Sequence, residues 1–455
     1  MKMKAFMPIA AAAMITMGLT ACQGASGGNS GAASQEKEAG SGMTEITFWH
    51  SMDSVFGEIT QKQVDQFNET IGKEKNIHVT PVFQNWPGTD ALMAAMPADI
   101  ENMPDVIQLY SESVNLIRDY KRTVWTEDML TTEGTMKKED LMPGAVEEYS
   151  IGGRMIGMPW TTSALLLYYN QDYLDQAGVA VPATIAEMAD ALPVLVEKTG
   201  AEYGLNVRVN QYELENWIET QGASGSEFGN NKNGHEGYMT ELSCVSNGTL
   251  DKFLTEWEKV VNSGAYKPSK DSINEEFAAG MHAMVIMTSS RIPTISELVG
   301  DSFNWGVAAI PAVSADDIGG AYPSGSGLFM MDRDDEAKKV AAWEFVQYMA
   351  SPEAQAMWLE GTGYTPVNVK SQELESYQTA VEAESRLQVP YDVLMQSGIS
   401  VIPAFIPNNS TIDTVIKDAM LSFGDGTATK EETFNAIKDG CAKALEDYYR
   451  ANPIE

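Results

Sequence analysis

The sequence predicts an α/β fold, and three observations carry the prediction. Strand-patterned and helix-patterned stretches alternate between residues 45 and 110. Later apolar runs such as LLLYYN (165–170) are short, continuous and bounded by turn residues, as buried sheet strands are. The chain has 455 residues, of which 44% are hydrophobic, enough for two or three domains with substantial cores.

In chain order, EITFW (45–49) is rich in β-branched and aromatic residues and reads as a strand. Val55, Ile59, Val64 and Phe67 then recur at near-helical spacing. IHVTPVF (77–83) reads as a second strand, 90–96 as the start of a helix, and PDVIQLY (104–110) as a third strand. The alternation implies a largely parallel sheet, whose ligands sit beyond the strands' carboxyl ends. His50, Trp86 and Tyr110 to Glu112 fall at those ends. After LLLYYN comes QDYLDQAG, a short helix with Gly178 as C-cap. Thr184 is placed as the N-cap of the next helix. The stretch 277–298 reads as a helix end, a buried strand and a Ser-rich turn. NWGVAAIPAV and GSGLFMM read as further strands. Residues 337–367 read as two helices broken at Ser-Pro and followed by a loop. Residues 413–449 read as two helices split by GDGTAT. No internal repeat is present.

Formal net charge is −34. That excess argues against nucleic-acid or anionic-membrane binding, where basic patches supply the affinity. The four histidines are scattered without ligand spacing, which argues against a structural zinc site, and no cofactor is expected. Cys244 and Cys441 are either paired or free; sequence alone leaves both open.

The N-terminus begins MKMK and continues into an almost wholly apolar run (5–19), too short to span a bilayer. A basic start, a short apolar stretch and small residues after it read as an export signal. Leu19-Thr20-Ala21-Cys22 resembles the lipobox of bacterial lipoproteins, which implies cleavage before Cys22 and lipid on that cysteine. The alternative is an ordinary signal with an incidental cysteine. Residues 22–43, rich in Gly, Ser and Ala, read as a flexible tether behind a 1–21 signal peptide.

FWHSMDSVFGE, GMPW…LLLYYNQDYLDQAG, FAAGMHAMVIMTSS and SPEAQAMWLEGTGYTPV, in this order, resemble the extracellular solute-binding proteins of bacterial ABC importers. The likeness is to the carbohydrate-binding group, with its maltose-type and glycerol-3-phosphate-type receptors, and runs from about residue 45 to 449. It implies a two-lobe, periplasmic-binding-protein-like (type II) fold with a hinge and a central ligand cleft. The expected lobes are 44–160 plus 306–350 and 161–305 plus 351–455, with crossings near 159–163, 305–311 and 350–361. It also implies an exported monomer held at the outer face of the cell membrane, in a Gram-positive bacterium, docking on permease subunits.

A sugar site needs flat aromatic faces and Asp, Glu, Asn or Arg to bond hydroxyls, since unpaired buried polar groups reject the wrong ligand. Trp86, in the Pro/Gly loop NWPGTD, is the first candidate. Asp90 either bonds hydroxyls or only complements a helix N-terminus. Tyr110 and Glu112 end the third strand; the resemblance implies an acidic ligand contact near Ser111, where Glu112 is the neighbour. Trp160 either stacks on ligand at the hinge or packs lobes together, and Thr162 matches a hydroxyl-bearing position of the relatives. Tyr212, Glu215 and Trp217 resemble an aromatic and acidic stretch of those receptors, or form an ordinary amphipathic helix with Trp217 in the core. Ser290 and Arg291 follow a strand, Arg291 as a bidentate partner or a structural ion pair. Ser326 lies in a Gly-rich strand start where backbone can approach ligand, and Tyr364 matches a ligand-contacting tyrosine of the relatives. Glycerol-phosphate receptors carry an arginine in the C-terminal segment. The corresponding residues 404–418 contain none: Thr414 stands about there, with Asn408 and Asn409 supplying amides. The expected ligand is therefore a neutral sugar or oligosaccharide, with glycerol-3-phosphate or a glycerophosphodiester as the alternative.

Enzymatic readings find little support. A glycoside hydrolase needs two carboxylates facing one bond, and no stretch singles out such a pair. GASGS (222–226) lacks the strand–turn–helix context of a nucleophile elbow. A receptor that senses sugar for a membrane kinase would use the same lobes.

Overall fold

A computed structural model describes residues 42–130 and 136–454. The expectations for the signal peptide, Cys22 and nearly all of the tether lie outside the described residues. The strands expected near the N-terminus form at Thr44–His50, Ile77–Phe83 and Val106–Tyr110. The helix between the first two is Ser54–Phe67, whose Val64 and Phe67 are buried. Gly178 closes helix Gln171–Ala177 at φ +68°, a left-handed cap that favours glycine. The Thr184 hydroxyl accepts from the Glu187 amide at 3.2 Å, capping Ile185–Thr199.

Two larger sheets organise residues 43–454. The first runs Ile77–Phe83, Thr44–His50, Val106–Tyr110, Ser324–Met331, Thr123–Val124, with Met158–Ser163 also paired to Ser324–Met331. The second runs Tyr266–Lys267, Tyr203–Asn206, His282–Thr288, Leu165–Asn170, Trp305–Ala309. The sheets are mixed rather than largely parallel. Thr44–His50 pairs in parallel with both neighbours, but Ser324–Met331 returns from the other half of the chain and enters antiparallel. Leu165–Asn170 is antiparallel to both of its partners.

Strands Met158–Ser163 and Leu165–Asn170 belong to different sheets, so the chain crosses at Ala164. Residues 161–163, which the sequence analysis put in the second lobe, stay paired in the first sheet. Residues 306–309, put in the first lobe, pair with Leu165–Asn170 in the second. Continuous strand pairing, which residue patterning does not reveal, sets both points.

Gly325 is where Ser324–Met331 meets Met158–Ser163, and a Cβ built there would lie 1.8 Å from the Thr161 carbonyl oxygen. Only glycine permits that approach. Cys244 and Cys441 are free and buried. Among the described residues no helix is long and apolar enough to cross a membrane.

Candidate functional site

The parallel strands of the first sheet end at a cleft of about 940 Å³. Its wall on that side is built from the loop after Ile77–Phe83 (Trp86, Asp90) and the turn after Val106–Tyr110 (Tyr110, Ser111, Glu112). The N-terminus of helix Gln211–Glu219 supplies Tyr212 and Glu215, and the start of Ser324–Met331 supplies Ser324 and Gly325. The remaining wall is the segment 403–414. Six of the residues expected from sequence are therefore brought together: Trp86, Asp90, Tyr110, Glu112, Glu215 and Asn408.

Trp86 is 65% exposed, unusual for an indole, and stands edge-on to Tyr110 with ring centroids 6.0 Å apart. An exposed indole braced by a second ring in a cleft is a ready face for a weakly apolar ring. Burial pushes the Tyr110 phenol and the Glu112 carboxyl above their ordinary ranges. Glu215 is buried and well satisfied. It accepts from the Ala404 amide at 2.5 Å, from the Gln211 amide group and from the Tyr322 hydroxyl at 3.5 Å. Burial nevertheless moves its pKa up to about 7, against the pull of the Ala404 N–H. The Asn408 amide donates to the Ala444 carbonyl at 3.4 Å, and its oxygen accepts from Thr411.

Seven expected residues lie outside that lining. Trp160 is fully buried between Phe48 (5.7 Å) and Trp358 (5.2 Å). Trp217 is fully buried against Trp257 (4.8 Å) and Phe253 (5.2 Å), and its indole N–H donates to the Pro311 carbonyl at 3.0 Å. Thr162 pairs through its backbone with Thr365. Ser326 sits beneath the cleft, where its hydroxyl accepts from Gln108 at 3.0 Å. Ser290, the exposed Arg291 and Tyr364 form a second group. Tyr364 packs on Phe56 (5.6 Å) and Trp358 (5.8 Å), and its phenol is near enough to act on those of Tyr110 and Tyr212.

Sequence reasoning missed Tyr322 and Asp413 in the lining. Tyr322 immediately precedes the Pro-Ser-Gly-Ser-Gly turn, an aromatic at a strand start that pattern reading could have flagged. Asp413 had no such signal, being one of 64 acidic residues and on an ordinary helix turn. Across the cleft the two sides touch directly. The Asn115 amide donates to the Phe405 carbonyl at 2.6 Å, and the Arg118 guanidinium to the Gly234 and Gly237 carbonyls at 3.1 and 2.9 Å.

Comparison with known proteins agrees with this architecture. A sequence model described as bacterial extracellular solute-binding protein matches residues 62–385. The sn-glycerol-3-phosphate-binding periplasmic protein UgpB of Pectobacterium atrosepticum is 26% identical over 349 residues, 74% of this chain and 76% of that protein. Among solved structures, the sugar-binding protein MalE from Xanthomonas citri superposes with a TM-score of 0.74 at 19% identity, covering 90% of this chain and all of that one. UgpB from Mycobacterium tuberculosis in complex with glycerophosphocholine superposes with a TM-score of 0.70 at 20% identity, covering 89% and 99%.

Proposed function

The chain belongs to the bacterial extracellular solute-binding proteins, and from that premise we propose that it is a lipid-anchored receptor that captures a carbohydrate and delivers it to the permease of an ABC importer. The two sheets mark two lobes that close on ligand by a hinge near Ala164 and between residues 310 and 323, a motion known for periplasmic binding proteins. The observation that carries the ligand class is the lining itself. It combines an exposed Trp86 set against the part-buried Tyr110 with carboxylates and amides, and contains no lysine or arginine. Phosphate recognition relies on charge-assisted donors, above all arginine. The glycerol-phosphate relatives favour a phosphate ligand by their names; the missing cation weighs more, because an anionic phosphate would meet carboxylates and neutral amides and hydroxyls with no charged donor.

Thermal unfolding of residues 43–455 against a ligand panel tests this. A saccharide that binds the folded state raises the melting temperature by mass action. A shift with saccharides, recovered uncleaved, is expected; a shift confined to glycerol phosphates or glycerophosphodiesters overturns the ligand class, and cleavage overturns the receptor reading. Trp86→Ala should then lower affinity for the panel saccharide about 30-fold, as loss of an aromatic anchor does. Because Trp86 is exposed, folding stability should change by no more than about 0.5 kcal/mol. For the anchor, Cys22→Ala should release the protein into the medium or leave it unprocessed. A variant that stays membrane-bound with unchanged mass would sink the lipobox assignment.

A further inference from the structure

The cleft has a one-sided charge. Asp90, Glu112, Glu215 and Asp413 line it. Among the described residues none of the four has a lysine, arginine or histidine within ion-pair distance. Arg291 is exposed and outside the lining, and Arg118, beside the lining residues Asn115 and Leu116, is committed to the Gly234 and Gly237 carbonyls and stacks 4.4 Å over Tyr238. Behind the lining stands a further carboxylate. Glu148 is 1% exposed, burial pushes it well above the carboxylate range against the pull of Tyr149 and the Gly325 N–H, and it feels the charge of Glu112. Glu215 feels Glu112 as well.

Like charges in a walled cleft reinforce one another's field, and a buried carboxylate without a cation is costly. Burial holds the Glu112 and Glu215 carboxyls partly protonated, and a cation entering the closed cleft displaces those protons and takes up the charge. A metal ion does not fit: among the described residues no three carboxylates, imidazoles or thiols are placed to hold one. The Trp86 and Tyr110 rings beside Glu112 present the electron-rich faces that attract organic cations. Tyr212, whose hydroxyl is buried near Ser324 and Thr288, lines the same space.

We propose that the cleft takes a saccharide bearing a protonated amine, whose ammonium sits beside Glu112 while a sugar ring faces Trp86 and Tyr110. The inference rests on the saccharide-receptor reading and narrows it to amino sugars.

Calorimetric titration of residues 43–455 with glucosamine and galactosamine disaccharides, their N-acetylated counterparts and the parent neutral disaccharides tests it, with putrescine as a cation lacking hydroxyls. An aminated disaccharide should bind at least about tenfold tighter than its acetylated and neutral counterparts. Glu112→Gln should bring that ratio close to one. Binding should also release protons from the crowded carboxylates, read as a dependence of the heat on buffer ionisation enthalpy. This measurement uses the unaltered protein and holds if the variant fails to fold. Equal or tighter binding of the neutral or acetylated sugars overturns the amine and leaves the saccharide reading standing. Binding of putrescine alone, or of nothing in the panel, overturns both.

Discussion

Trp217→Ala should destabilise the fold by about 4 kcal/mol, one of the largest effects expected from any substitution at a residue first considered for ligand contact. The side chain is fully buried in a stack with Phe253 and Trp257, where removing an indole leaves a cavity that two further rings cannot fill. The Pro311 carbonyl loses its donor at the same time, adding the cost of an unsatisfied buried acceptor. Denaturant unfolding measures the loss directly. A variant that unfolds like the parent but binds no ligand would return Trp217 to the cleft. Trp86→Ala is its mirror image, affecting binding and sparing stability.

These two tryptophans show what the sequence could and could not say. Trp86 was legible because it follows a strand end in a Pro/Gly loop, where burial has little to offer and loop residues carry function. Glu215 and Trp217 read either as one aromatic and acidic ligand stretch or as an ordinary amphipathic helix with Trp217 in the core. They are two positions apart on a helix, and two positions turn roughly 200°, so they face nearly opposite ways. One faces the cleft, and the other must face the core. Periodicity could have separated them; it could not have said which was which, because every residue from Glu213 to Glu219 is buried. Trp160 was obscured by pairing instead. Residues 159–163 read as a crossing between lobes, with Trp160 stacking on ligand or packing the lobes together; Met158–Ser163 instead forms a strand locked to Ser324–Met331, from which Trp160 points into the Phe48 and Trp358 packing. Ser326 follows the same rule: its register opposite Tyr110 puts its hydroxyl on Gln108 below the cleft. The elements themselves were readable from apolar patterning. Which sheet Ser324–Met331 joined depended on pairing across 160 or more residues, which no local pattern encodes.

The stability difference between Glu215→Gln and the parent should widen by about 3 kcal/mol as pH rises from below 4.5 to above 7. Glu215 and Glu219 lie one helical turn apart and both are buried. Glu219 accepts from the Asn233 amide at 2.8 Å through one oxygen, and burial followed by the charge of and the hydrogen bond with Glu215 pushes it well above the carboxylate range. Burial raises Glu215 from an ordinary 4.5 to about 7. Below pH 4.5 the residue is protonated folded or unfolded and contributes nothing to pH dependence. Between 4.5 and 7 the folded state holds the extra proton, so stability falls as pH rises. Above 7 the full cost of burying the charge is present. The glutamine mimics the protonated form at every pH and is spared that cost, so the gap opens in its favour. The comparison must be a difference between two proteins. His50 and His235 are both lowered to about 4 by burial, and they take stability away as pH falls from 6.5 toward 4, the opposite trend. Both proteins share those histidines, so the difference isolates Glu215. A gap that stays flat across the series would mean that the Ala404 and Gln211 donors hold Glu215 ionised throughout, and that the cleft carries its full negative charge before any ligand arrives.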